Sequence, residues 1–144
     1  MSTDNQNPFD GFNVILSYSR AQAIADGVLV ELKEAAAQGF KVHTVCTEAV
    51  WRSVIEWPQT GNKETAEYLR QVALLRAAFL AVRAKIALEK AGVPDPQPER
   101  LDFHVRAVVF ANGQPEPKDV QLYMLIGPGD TRAPVGTIMF PDED

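Results

Sequence analysis

Two histidines and one cysteine are the chain's whole supply of imidazole and thiol chemistry. His43 precedes Cys46 by three residues in KVHTVC, a segment that alternates like a strand. An odd spacing puts two strand residues on opposite faces, so this pair does not converge on one metal. His104 lies between Phe103 and Val105 and faces away from both. A zinc site would need further ligands gathered from scattered carboxylates. Both histidines therefore read as surface or hydrogen-bonded residues, and Cys46 as a small buried hydrophobe. Ser19 stands in YSRA, not in the G-x-S-x-G of a nucleophile elbow. GPGD at Gly127 lacks the Lys-Ser/Thr of a phosphate loop and reads as a turn between strands. The acidic end, Asp142 to Asp144, is expected to be solvated.

Binding chemistry is better supplied. Arg76, Arg83 and Lys90 recur every seven residues and share one stripe of a helix. Such a stripe suits a phosphate or carboxylate, and otherwise forms a solvated helix face. Trp51 and Arg52 are adjacent, and an indole with a guanidinium can clamp a planar base. Trp51 also falls four residues before Ile55, the spacing of a core position.

Tyr18, Arg20 and Asp26 lie close together around a short helix and would form a polar rim to a small-molecule pocket. Arg20 falls in the first turn, where a cation opposes the helix dipole. If it is an exposed site residue, Arg20→Ala changes stability by less than about 0.5 kcal/mol. The ligand-binding candidates are therefore Tyr18, Arg20, Asp26, Trp51, Arg52, Arg76, Arg83 and His104. No catalytic or metal-ligating set emerges, and no cofactor is expected. An enzyme would have to draw its base and electrophile from His104, Glu48 and Asp26.

These side chains need elements to hold them. Residues 1–10 read as a flexible leader, 11–141 as one domain and 142–144 as an acidic tail. FNVILSY, from Phe12, suits a strand. Ser19 with Gln22 forms a capping box, and Asp26-Gly27 stops the short helix between them. Val28 to Leu32 is extended, Glu31 to Gln38 a second short helix, and Lys41 to Cys46 a strand. Thr47 caps a helix that Pro58 ends. Glu64 to Lys90 is the longest helix, and Leu69, Val72, Ala73, Phe79, Leu80, Val82 and Ile86 are expected on one buried face.

After the proline-rich GVPDPQPER come three strands, Leu101 to Ala111, Asp119 to Ile126 and Val135 to Phe140. Asn112-Gly113 signals a turn, with the following QPEP lengthening the loop beyond a two-residue hairpin. The fold class is α+β. An antiparallel β-meander in the C-terminal half packs against one long helix and several short N-terminal helices.

The chain has 144 residues, a net charge of -5 and a hydrophobic content of 46%, which suit one globular core. One cysteine excludes an intrachain disulfide framework and fits a reducing cytoplasm. The acidic balance argues against direct nucleic-acid binding, and the charges along Glu64 to Lys90 argue against a membrane span.

SYSRAQAIADGVLVEL, GFKVHTVCTEAVW and LIGPGDTRAPVGTIMFPDED together resemble an uncharacterised family of domains of unknown function, carried by bacterial chromosomes, plasmids and phages. Residues 62–98 depart most from that pattern. The resemblance carries no activity or site residue. It implies a setting, in which small acidic proteins of mobile elements act as accessory or counter-defence factors by binding. The expected function is thus a non-enzymatic cytoplasmic binding protein that occludes a host protein or sequesters a small anionic nucleotide-like signal, as a homo-oligomer. The alternatives are a small nucleotide-directed hydrolase or transferase, and a structural or regulatory accessory domain.

Overall fold

The computed structural model describes residues 19–59 and 61–143. The leader, Tyr18 and the strand expected over residues 12–18 lie outside the described residues. The described chain runs α1 (Arg20–Ala25), β1 (Leu29–Glu31), a 3-10 turn (Ala36–Gln38), β2 (His43–Thr47) and α2 (Glu48–Val50). A π-helical turn (Trp51–Ile55) prolongs α2, and α3 (Lys63–Lys90), β3 (Arg100–Ala111), β4 (Gln114–Pro128) and β5 (Pro134–Met139) follow. This is the α+β class.

The three C-terminal strands form the meander their alternation requires, and β1 and β2 widen it to five strands in the order β1-β2-β5-β4-β3. β2 lies parallel to β5, with Cys46 beside Ile138; every other pair is antiparallel. Leu101, Phe103 and Val105 of β3 stand opposite Met124, Leu122 and Val120 of β4 on one face. That face buries its side chains against α3 and the π turn, through Val54, Ile55, Leu74, Leu75 and Ala78. Truncating one such leucine to alanine costs about 2–5 kcal/mol.

Four expectations are corrected. The hairpin between β3 and β4 is a two-residue one, because Ala111 pairs directly with Gln114. Asn112 and Gly113 have φ of 53° and 78°, the positive pair that a type I′ turn needs. QPEP is strand rather than loop. Pro115 and Pro117 fit because their nitrogens point away from β3, on a side where β5 does not reach.

The second correction concerns α3. Its buried residues are Gln71, Leu74, Leu75 and Ala78, whereas Leu69 and Leu80 are 58% and 64% exposed. Apolar residues lie all around this helix, so spacings of three and four alone selected the wrong face. Buried Gln71 is satisfied, its Oε1 accepting from the Glu34 N–H at 2.9 Å.

α3 also covers the free edge of β3, whose even-numbered carbonyls point away from β4. Arg70 Nη1 donates to the Val108 carbonyl at 2.8 Å, and Lys85 Nζ to that of Arg100 at 2.7 Å. These cations satisfy acceptors that an exposed edge would leave to a stray strand. The expected Glu31 to Gln38 helix shrinks to its 3-10 end, stopped by Gly39 at φ 102°. At the C-terminus Glu143 is tied down rather than solvated. Its carboxylate accepts from Thr47 Oγ1 at 2.8 Å and the Phe140 N–H at 2.9 Å, while its carbonyl accepts from the Tyr123 hydroxyl at 2.7 Å.

Candidate binding cleft

Two polar constellations stand out, and the eight candidate residues divide between them and the open surface. The first gathers around α1. Ser19 caps this helix, its Oγ accepting from the Gln22 N–H at 3.0 Å. Asp130, in the β4–β5 loop, accepts from the N–H groups of Arg20 and Ala21 at 2.9 and 3.0 Å. The Arg20 guanidinium then reaches β5, giving Nη1 to Thr137 Oγ1 at 2.8 Å and Nη2 to the Gly136 carbonyl at 2.7 Å. The carboxylate at the helix start resolves the conflict of a cation with the dipole.

Arg20 also approaches His43. Its Nε points at Nδ1 from 3.5 Å, while Nε2 lies 2.8 Å from Glu31 Oε2. A guanidinium only donates, so Nδ1 accepts and Nε2 carries the proton toward Glu31. Both ring nitrogens thus have a partner within this groove. Burial pulls the Arg20 pKa down, against the opposing charge of Asp130. Arg20 is a tie between helix, loop and sheet as well as a wall of a shallow groove.

The second constellation is a cleft of roughly 570 Å³ between the π turn and the end of the β3–β4 hairpin. Arg52, Ser53 and Glu56 line one side, and Lys118, Asp119, Val120 and Gln121 form the other. Phe110 and Phe140 supply aromatic surface. The backbone builds its rim: Glu56 N–H reaches the Trp51 carbonyl at 2.7 Å, the five-residue span of a π turn. Below it Arg70 holds the carbonyls of Ile55 and Val108 at 3.0 and 2.8 Å, with its guanidinium 5.4 Å from the Trp57 ring centre. Trp57 in turn meets Phe110 edge-on at 5.3 Å. Burial lowers the Arg70 pKa, with Glu67 opposing.

Of the expected residues, Arg52 lines this cleft and pairs with Glu48 at 3.2 Å. Trp51 beside it is half-buried and packs on the core, so the two do not form an open clamp. Arg20 lines a different groove, with His43 and Asp130. Asp26 caps the opposite end of α1 from Arg20. Arg76 and Arg83 stand on the exposed face of α3, and His104 is exposed on the face of β3 turned away from the core. Tyr18 lies outside the described residues. The sequence reading missed Lys118, Phe110, Phe140, Gln121 and Glu56. Their convergence depends on strand pairing, and the prolines at 115, 117 and 141 were the only local sign of an unusual edge.

Among the described residues, no cluster of three or more His, Cys, Asp or Glu could hold a metal ion. Among them, too, no helix is long and apolar enough to cross a membrane.

Fold and cleft define a small α+β domain with one mixed sheet, covered on its core face by a long helix and a π turn. The chain belongs to a family of unknown function, DUF6573, which matches residues 5–144. No curated protein and no solved structure matches it.

Proposed function

We propose that the protein acts by binding rather than by turnover, and that the Arg52–Lys118 cleft receives a partner protein. The observation that carries this reading is the make-up of the cleft: two cations, two phenylalanines and a strand backbone around one concavity. Clefts that combine apolar walls with a few converging polar groups are where ligands bind. None of His43, Cys46 and His104 lines the cleft: His43 contacts Arg20 and Glu31, Cys46 is fully buried, and His104 is exposed on β3. In the setting that the family resemblance implies, the role would be that of a mobile-element accessory or counter-defence factor occluding a host component.

A second reading places a nucleotide-like signal in the same cleft, phosphates on Arg52 and Lys118 and a base on a phenylalanine. Glu56 weighs against it, because it puts a carboxylate beside a polyanion. The discriminating experiment uses full-length protein and an Arg52→Glu, Lys118→Glu double variant of matched melting temperature. Host-lysate pull-down should recover a specific protein with the first and not the second, while calorimetry with nucleotides and cyclic dinucleotides stays flat. A nucleotide recovered intact from the protein favours the signal reading. One recovered chemically converted makes the protein an enzyme.

A further inference from the structure

We infer that the cleft takes its partner as an added strand, an extended segment bearing a carboxylate that pairs with β4 at Asp119 and Gln121. This rests on the cleft's being the binding site and specifies how the site is used.

The backbone parity of β4 is fixed by one bond, from the Ile126 N–H to the Glu99 carbonyl at 2.9 Å. Even-numbered residues of β4 therefore turn both backbone groups toward β3, and odd-numbered residues turn theirs toward β5. β5 meets β4 only from Tyr123 to Pro128. The next rung of that register sets Pro141 against Gln121, and proline has no N–H to give. There the chain turns off, the Glu143 N–H closing on the Phe140 carbonyl at 3.0 Å. Among the described residues no strand pairs with β4 beyond that point on this side.

Farther along, Pro115 and Pro117 share the odd parity and offer no donors. Prolines therefore blunt the open edge at both ends, which guards it against open-ended strand stacking. Between them Asp119 and Gln121 each keep one N–H and one C=O on the open side. That is a window of two rungs.

This window belongs to the wall of the cleft. A strand seated on it lies beside Arg52 and Lys118, which complement a carboxylate, and Phe110 and Phe140, which suit an apolar neighbour. Asp119's own carboxylate is drawn away to Arg106 at 3.4 Å. Glu56 remains and disfavours more than one negative charge. The fitting occupant is a short extended peptide segment with alternating apolar residues and a single acidic group.

The test selects binders to the full-length chain from a displayed library of random decapeptides, then measures the affinity of the synthesised winner by fluorescence anisotropy. Asp119→Pro with Gln121→Pro removes the outward N–H groups, at the parity where Pro115 and Pro117 already sit, and Asp119→Ala with Gln121→Ala controls for the two side chains lost with them. Binding should fall about tenfold, as expected when two hydrogen bonds are lost. N-methylating alternate residues of the peptide should do the same to wild-type protein, which covers the case in which the proline variant fails to fold. Arg52→Glu with Lys118→Glu should also weaken binding.

If charge reversal abolishes binding while prolines and N-methylation leave it unchanged, strand addition is wrong and the cleft reading stands. If a selected peptide ignores all three changes, or none is selected, strand addition at this cleft is overturned. A peptide indifferent to charge reversal counts against the cleft as well.

Discussion

Asp130 holds the start of α1 from 110 residues away, its two carboxylate oxygens accepting separately from the N–H groups of Arg20 and Ala21. These two backbone bonds, Ala21's first, and then the Arg20 charge keep the Asp130 carboxyl below the usual carboxylate range. An acid whose pKa is depressed by folding stabilises the native state most when ionised. Its contribution is therefore full above the unfolded value near pH 4. It is lost as the pH falls through the lower folded value. Asp130→Asn should flatten the acid limb of the stability curve, measured by urea unfolding between pH 3 and 7. An unchanged acid limb would show that Asp130 does not contribute to it.

Arg20 should prove costly to remove. Its fork spans from α1 to β5 through Thr137 and the Gly136 carbonyl. Arg20→Ala strands both partners, and bonds to a charged donor contribute about 1.5–3 kcal/mol each when part-buried. A loss of about 2 kcal/mol, or roughly 6 °C in Tm, is expected once solvent at this half-exposed site is allowed for. Arg20→Lys should rescue little, since an ammonium cannot make the two-pronged contact. A Tm within 1 °C of wild type, on the order of a few tenths of a kcal/mol, would restore Arg20 to the role of an exposed site residue.

How much of this was legible in sequence depends on range. Alternation in Phe103, Val105, Leu122 and Met124 reveals which face of β3 and β4 is buried, because period two is a local property. The Ser19 cap and Gly39 stop are local too, and both are found where expected. The parallel pairing of β2 with β5 is not local, as it joins Cys46 to Ile138 across two helices, a π turn and two strands. The cleft suffers the same loss. Its walls come from residues 52–58, 109–110, 118–121 and 140, so no window of sequence contains it. α3 failed for a different reason. With Leu69 and Leu80 on one side and Leu74 and Leu75 on the other, its composition does not declare an inside.

Cys46 should be chemically silent in the native protein. It is fully buried between Val30 and Ile138, and burial first, then the Glu143 charge, pushes its thiol pKa up to about 12. Thiolate is the reactive form, so reaction with a disulfide reagent at pH 8 should be undetectable until urea unfolds the chain. Prompt reaction under native conditions would mean that the β2–β5 seam opens readily.

The strongest single-residue effect outside the hydrophobic core is expected at Arg70. Its guanidinium binds the Ile55 carbonyl that ends the π turn and the Val108 carbonyl on the outer edge of β3, and packs over Trp57. Arg70→Met keeps most of the side-chain volume but leaves two part-buried acceptors unpaired. At about 1–3 kcal/mol for each such group, a loss of about 2–6 kcal/mol follows. The change should reach the cleft as well, because Trp57 rests edge-on against Phe110, one of its two aromatic walls. Trp57 fluorescence, read in a Trp51→Phe background so that Trp57 is the sole indole, separates the two effects. A shift in emission below the unfolding transition, together with the lowered Tm, would show that Arg70 shapes the cleft while it holds the fold. A lowered Tm with native emission unchanged would confine its role to stability.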